Sequence, residues 1–258
     1  MAQVRSISSR SNPLWQRLRK LAQHATAYRE QGLAWVEGEH LCAEARRRAV
    51  RVPQAVIGAS AWEQPHLRQL AQVAEDILLV PDPMLAALSS MESAPPIAYV
   101  LPLPKMSAID PNAPTVVLDR LQDAGNVGTI LRSALAFGFG QVIALNGCAG
   151  LWSPKVLRAG MGAHFGMRLV ECCEPDALDA MTIPLLATSS HASESIDSVE
   201  LPWPCAWVMG HEGQGLSEEV SQRCGRWLKI SQPGGMESLN VAVAASVCLY
   251  ESSRQRLV

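Results

Sequence analysis

Along the whole chain, short apolar runs alternate with segments whose apolar residues recur every three or four positions. Near the start, Leu14, Leu18 and Leu21 recur at helical spacing behind Ser11-Asn12-Pro13, which has the form of a helix start. Strands are expected at 33–37, 54–57, 77–80 and 97–101, with helices at 42–50, 67–74 and 84–88. This alternation predicts a small α/β or α+β domain over residues 1–101. Pro102, Pro104, Pro111 and Pro114 then punctuate a stretch without periodicity, read as a stiff linker over 102–114. A second α/β domain is expected over 115–258. Its strands are anticipated at 116–118, 142–145, 168–170, 185–188, 206–209 and 227–230, and its helices at 127–137, 154–159, 176–181, 217–224 and after Ser238. Strands separated by helices with short connections predict a parallel sheet.

Composition narrows the class without changing this picture. Hydrophobic residues make up 48% of the 258 positions and charged residues 18%, which describes a globular chain rather than a disordered one. No apolar run reaches membrane-spanning length, and the opening Met-Ala-Gln-Val-Arg has no signal-peptide core, so a cytoplasmic location is expected. Seven cysteines without CxxC spacing argue against a disulfide framework and a zinc site, and no metal is expected. Cys172, Cys173 and Cys248 are expected to be buried structural thiols.

Charge adds an asymmetry that the net value of −2 conceals. Residues 1–51 hold ten Lys or Arg against four Glu, a local excess of +6, whereas the rest of the chain carries −8. Arg10, Arg17, Arg19 and Lys20 share the segment of the first predicted helix. A basic end on an acidic protein suits a polyanionic partner, and it equally suits a solvated helix face.

Candidate chemistry concentrates in the second domain. A strand-like run to Ile230 breaks at Pro233-Gly234-Gly235, and Ser238 then stands as N-cap of an apolar helix rich in small residues. A Gly-Gly turn feeding a helix N-terminus suits polar ligand recognition and is also an ordinary strand-to-helix turn. Gly160-Met161-Gly162-Ala163-His164-Phe165 fails as a dinucleotide fingerprint: Phe165 replaces the third Gly, and the segment follows a helix.

Three motifs in order, Asn126-Val127-Gly128-Thr129-Ile130-Leu131-Arg132, Gly210-His211-Glu212-Gly213-Gln214-Gly215-Leu216-Ser217 and Glu237-Ser238-Leu239-Asn240-Val241-Ala242, resemble those of the SpoU family of RNA 2'-O-ribose methyltransferases in the SPOUT superfamily. The resemblance implies a C-terminal parallel-sheet domain with a trefoil knot, and a small N-terminal domain similar to ribosomal protein L30e that binds substrate RNA. It implies S-adenosylmethionine as methyl donor, held at Thr188, Gly210, Gly215, Ile230 and Leu239. By the same resemblance Asn126, Arg132, Glu212, Ser238 and Asn240 form the catalytic set. Arg132 would serve as base in the family proposal. Guanidinium barely deprotonates in proteins, so a role in fixing phosphate and ribose suits its chemistry better. The implied substrate is structured RNA, ribosomal rather than transfer RNA because of the separate N-terminal domain, and the implied assembly is a homodimer. A tRNA enzyme, or a non-catalytic RNA-binding protein on the same fold, are the alternatives. In one departure from the family wording, Ser231-Gln232 stand where Pro-Met commonly follows the Ile.

Overall fold

The computed structural model describes residues 3–105, 108–234 and 238–256. The chain forms two compact units, Met1–Lys105 with Trp152–Phe165, and Met106–Leu151 with Gly166–Val258.

The first unit runs β1 (Gln3–Ser6), α1 (Pro13–Gln23), α2 (Ala27–Gln31), β2 (Leu33–Glu37), α3 (Glu39–Arg47), β3 (Gln54–Gly58), α4 (Ala59–Trp62), α5 (Pro65–Ala71), β4 (Asp76–Val80), α6 (Asp82–Ala86) and β5 (Ile97–Pro102). The start of α1 follows its sequence signals: Asn12 Oδ1 accepts from the Leu14 amide at 2.9 Å, and Pro13 takes the first helical position. Trp15, Leu18, Leu21 and Ala22 are buried, which leaves Arg17, Arg19 and Lys20 on the exposed side. The sheet order is β1-β4-β3-β5-β2, with β1, β4 and β3 parallel and β5 antiparallel to both its neighbours. β1 gives no apolar signal because all four of its residues are exposed; Arg5 Nε instead donates to Asp76 Oδ1 at 3.0 Å across the pair.

The second stretch of chain runs β6 (Thr115–Leu118), α7 (Ala124–Ala136), β7 (Gln141–Leu145), α8 (Pro154–Gly160), β8 (Arg168–Cys173), a 3-10 segment (Pro175–Ala180), β9 (Leu185–Thr188), β10 (Glu194–Ser195), β11 (Ala206–Met209), α9 (Glu218–Ser221), β12 (Arg226–Lys229) and α10 (Val241–Arg256). Its sheet order is β10-β12-β9-β11-β6-β7-β8, and every pair is parallel. β6, β7 and β11 are buried along their whole length, as strands covered on both faces must be. One face packs Val117, Ile143, Val170, Leu185 and Val208 against Leu178 and Val220. On the other, Trp207 Nε1 donates to Ser252 Oγ of α10 at 2.9 Å, and α10 lies along α7 with Ser133 and Ser246 hydroxyls 2.8 Å apart.

Three details differ from the sequence expectations. The helix α8 packs against β2 of the first unit, where Arg158 donates to the buried Glu37 carboxylate. There Met161 closes α8 in the left-handed region, and Gly162, with φ +88°, lies against the Glu44 stem, so Gly160 and Gly162 serve a helix end, in keeping with the failed dinucleotide fingerprint. Residues 108–114 are fastened to the second unit: the Asp110 amide donates to Gln141 Oε1 at 2.8 Å, and Gln141 Nε2 returns a bond to the Asp110 carbonyl at 3.0 Å. Among the cysteines, Cys248 is buried and burial pushes its thiol well up, but Cys172 is exposed. It sits with φ +57° where the β7–β8 register shifts, and the bulge turns its side chain out of the sheet.

Among the described residues, no helix is long and apolar enough to cross a membrane, and no cluster of three His, Cys, Asp or Glu could hold a metal.

Candidate active site

The carboxyl ends of β9, β11 and β12 open onto one cleft of about 460 Å³, the usual place for a ligand in an open α/β sheet. Thr188 ends β9, Gly210 follows β11 and Ile230 follows β12, and all three line the cleft together with Glu212, Gly215, Ser238 and Leu239. Gly235, Met236 and Glu237 of the third motif lie outside the described residues.

The second motif is a tight loop closed on itself. The His211 amide donates to the Gly215 carbonyl at 3.0 Å, and the Gly215 amide returns to the His211 carbonyl at 2.8 Å. That closure brings the Gly215 and Leu216 backbone to within 2.6–2.7 Å of where a Cβ on Gly210 would stand, so only glycine fits there. Gly215 itself has φ +68°.

Two residues that the sequence reading did not single out hold this loop in place. Asp119, 2% exposed at the end of β6, accepts from the Ser217 amide at 2.6 Å. Arg120 bridges Asp119 Oδ1 (3.2 Å), Gln214 Oε1 (3.1 Å) and the Gly215 carbonyl (3.2 Å). Their sequence signal was an acidic residue closing an otherwise apolar strand, which calls for a specific buried partner.

Side chains from all three motifs meet at the edge of the cleft. Asp123 caps α7 by accepting from the Asn126 amide at 2.7 Å, which places Asn126 in the first helical turn. The Asn126 side-chain amide donates to Glu212, and its carbonyl oxygen accepts from Asn240 Nδ2 at 3.1 Å. Asn240 Oδ1 in turn accepts from the Ala242 and Val243 amides at 2.9 and 3.3 Å. The cap of α10 is therefore Asn240 rather than Ser238, because Asn240 directly precedes Val241, the first helical residue. With its oxygen on the helix and one N–H on Asn126, Asn240 ties the third motif to the first.

Arg132 stands apart from this chain. It is exposed on α7, and its side chain makes no hydrogen bond or ion pair with any described residue. In the first unit the four basic residues are less free. Lys20 pairs with Glu30 at 2.5 Å, and this contact holds the Glu30 carboxyl below its usual range. Arg17 donates to Gln31 at 3.0 Å, Arg19 to Gln23 at 3.3 Å, and Arg10 to the Pro83 carbonyl at 3.5 Å.

The chain that builds this cleft has counterparts among known proteins. The model of the SpoU rRNA Methylase family matches residues 113–250, which takes in all three motifs. The chain belongs to this family. Its SpoU relatives include an uncharacterized tRNA/rRNA methyltransferase of Synechocystis sp., 32% identical over 98% of this chain and 95% of the relative. The 23S rRNA (guanosine-2'-O-)-methyltransferase RlmB of Bordetella pertussis is 34% identical over 58% of this chain and 63% of its own length. Among solved structures, the AdoMet-bound rRNA methyltransferase from Sinorhizobium meliloti superposes with a TM-score of 0.85 at 25% identity, covering 100% of both chains. In this SpoU chain the departure at Ser231 has a visible partner: its hydroxyl donates to Asp197 at 2.9 Å and lies 2.7 Å from Ser195 Oγ.

Proposed function

We propose that this protein transfers the methyl group of S-adenosylmethionine to a ribose 2'-hydroxyl of structured RNA, ribosomal RNA before transfer RNA. The observation that carries this reading is the Glu212–Asn126–Asn240 chain, which ties three motifs distant in sequence together at the rim of one cleft. A cleft framed by backbone at strand ends suits a donor that carries a sulfonium and an adenine but no phosphate. Thr188, Gly210, Gly215, Ile230 and Leu239 would hold the donor, which supplies an electrophilic methyl group.

In this reading the hydroxyl loses its proton as its oxygen bonds the methyl carbon and the carbon–sulfur bond breaks. Arg132, exposed and unengaged among the described residues, is a planar donor group ready for an RNA phosphate, so its part is to fix the phosphate and ribose in line. The proton leaves through that phosphate or a water. Glu212 orders the pocket through Asn126, and Ser238 lines the cleft beside them.

A homodimer, a trefoil knot and a cytoplasmic location complete the proposal. Exposed Val243 and Tyr250 stand with Val247 along a groove beside α7, an apolar surface that suits a second copy. Sedimentation at micromolar concentration should return twice the 27.9 kDa chain mass. A crystal structure tracing 189–256 would decide the knot.

Calorimetric titration with S-adenosylmethionine is expected to give one saturable site. Ribose-methylation mapping of RNA from cells lacking the protein is expected to lose one signal. A folded protein that binds no donor would favour the non-catalytic RNA-binding alternative.

The basic residues of the first unit carry a separate expectation. If Arg10, Arg17 and Arg19 contact phosphates, reversing two of them weakens RNA binding uniformly across sequences. It also flattens the log–log salt dependence by roughly 0.7–0.9 per contact removed. Lys20, already paired with Glu30, should contribute least. An unchanged slope between low and moderate salt would return these residues to a solvated face.

A further inference from the structure

Gln232 breaks the polar accounting of the cleft. The residue lines it, yet its Oε1 is shut away from solvent and has no hydrogen-bond partner among the described residues. Its amide nitrogen makes no hydrogen bond to a described residue either. A carbonyl oxygen left dry and unpaired is a destabilised arrangement, and native structures tolerate few of them. The side chain is also not free to leave the area. Ser231, directly before it, is held by the Ser195–Asp197–Ser231 cluster, in which Asp197 accepts from both hydroxyls and is kept below the usual carboxylate range by them. Ser231 is thus pinned to the β10 end of the sheet, while the next residue, Gln232, lines the cleft.

We infer that Gln232 is a donor-binding side chain: when S-adenosylmethionine enters, rotation about its aliphatic torsions carries the amide into the cleft, where it hydrogen-bonds the donor. This inference rests on the proposed methyl-donor reading of the same cleft. The chemistry is matched on both sides. The amide offers one acceptor and two N–H donors. S-adenosylmethionine presents an adenine amine, ribose hydroxyls and an ammonium as donors, and ring nitrogens and a carboxylate as acceptors. Moving the amide thus relieves an unsatisfied oxygen and adds a ligand contact in one step. Ser231 and Asp197 act through it, as positioning residues.

The test compares the wild type with Gln232→Met, which keeps length and volume but has no hydrogen-bonding amide, and with Gln232→Glu, which keeps the acceptor oxygens. Dissociation constants for S-adenosylmethionine and S-adenosylhomocysteine are measured by calorimetry, with thermal melting as a check on folding. Gln232→Met is expected to weaken both ligands by about three- to tenfold, the worth of one hydrogen bond. Gln232→Glu is expected to restore at least the affinity for the cationic S-adenosylmethionine. Ser231→Ala should give a smaller loss in the same direction. Equal affinity of Gln232→Met and wild type would overturn the inference while leaving the methyl-donor reading intact. Failure of the wild type to bind either ligand would overturn both.

Discussion

Arg132→Ala should lose methyl transfer almost completely while binding S-adenosylmethionine within a few-fold of the wild type. The residue lies outside the lining of the cleft proposed for the donor, on the exposed side of α7, and nothing among the described residues occupies its guanidinium. An exposed arginine with no partner among the described residues contributes little to the fold, so the substitution should leave melting unchanged. If its work is to hold an RNA phosphate and the ribose in line, losing it misplaces the hydroxyl by an ångström or more, a displacement that costs about a hundredfold or more in rate. Arg132→Lys, which keeps the charge and loses the two-pronged geometry, should recover only part of this. Single-turnover transfer rates beside calorimetric donor affinities make the measurement. A variant that loses donor binding would place Arg132 in the donor site and undo its assignment to the RNA.

The second large effect should come from the smallest substitution. In Gly210→Ala the new Cβ would stand 2.6–2.7 Å from backbone atoms of Gly215 and Leu216, which have no rotamer by which to move aside. The His211–Gly215 bridge must open, and with it the wall of the cleft. Donor affinity should fall by on the order of a hundredfold, since several backbone contacts shift together. The loop caps strand ends and is not part of the core, so the variant should still fold. Gly213→Ala is the control: its Cβ would meet nothing nearer than the His211 ring at 3.8 Å, and binding should survive. Equal affinities for the two variants would mean that the loop has no part in holding the donor.

Much of this architecture was readable in advance because buried parallel strands are hard to disguise. β6, β7, β9 and β11 are covered on both faces, so Val116–Leu118 or Val142–Leu145 must be apolar throughout, and a run of that length has few other uses. What escaped was structure stabilised by something other than apolar burial. β1 is polar and joins its sheet through backbone pairing and Arg5–Asp76; β10 is two residues long. At the start of α10, Ser238 and Asn240 are both good caps, and choosing between them depends on where the loop lets the helix begin. The site shows the same division. The glycine loop announces itself locally, whereas Asp119 and Arg120 matter through contacts nearly a hundred residues away, at Gln214, Gly215 and Ser217. Sequence periodicity has no access to such pairings.

The path of residues 152–165 has a practical corollary. Because this stretch belongs with the first unit, the chain passes from one unit to the other three times, after 105, after 151 and after 165. The units are therefore not beads on a string that a single cut could separate. A fragment beginning at residue 106 would carry Val156 and Leu157, both buried here, without the β2 surface that covers their helix, and it would expose that apolar face to any neighbour. A fragment ending at 105 would leave the buried Glu37 without Arg158. Recombination that swaps the N-terminal region between family members would have to carry two separate pieces of gene to conserve one piece of protein.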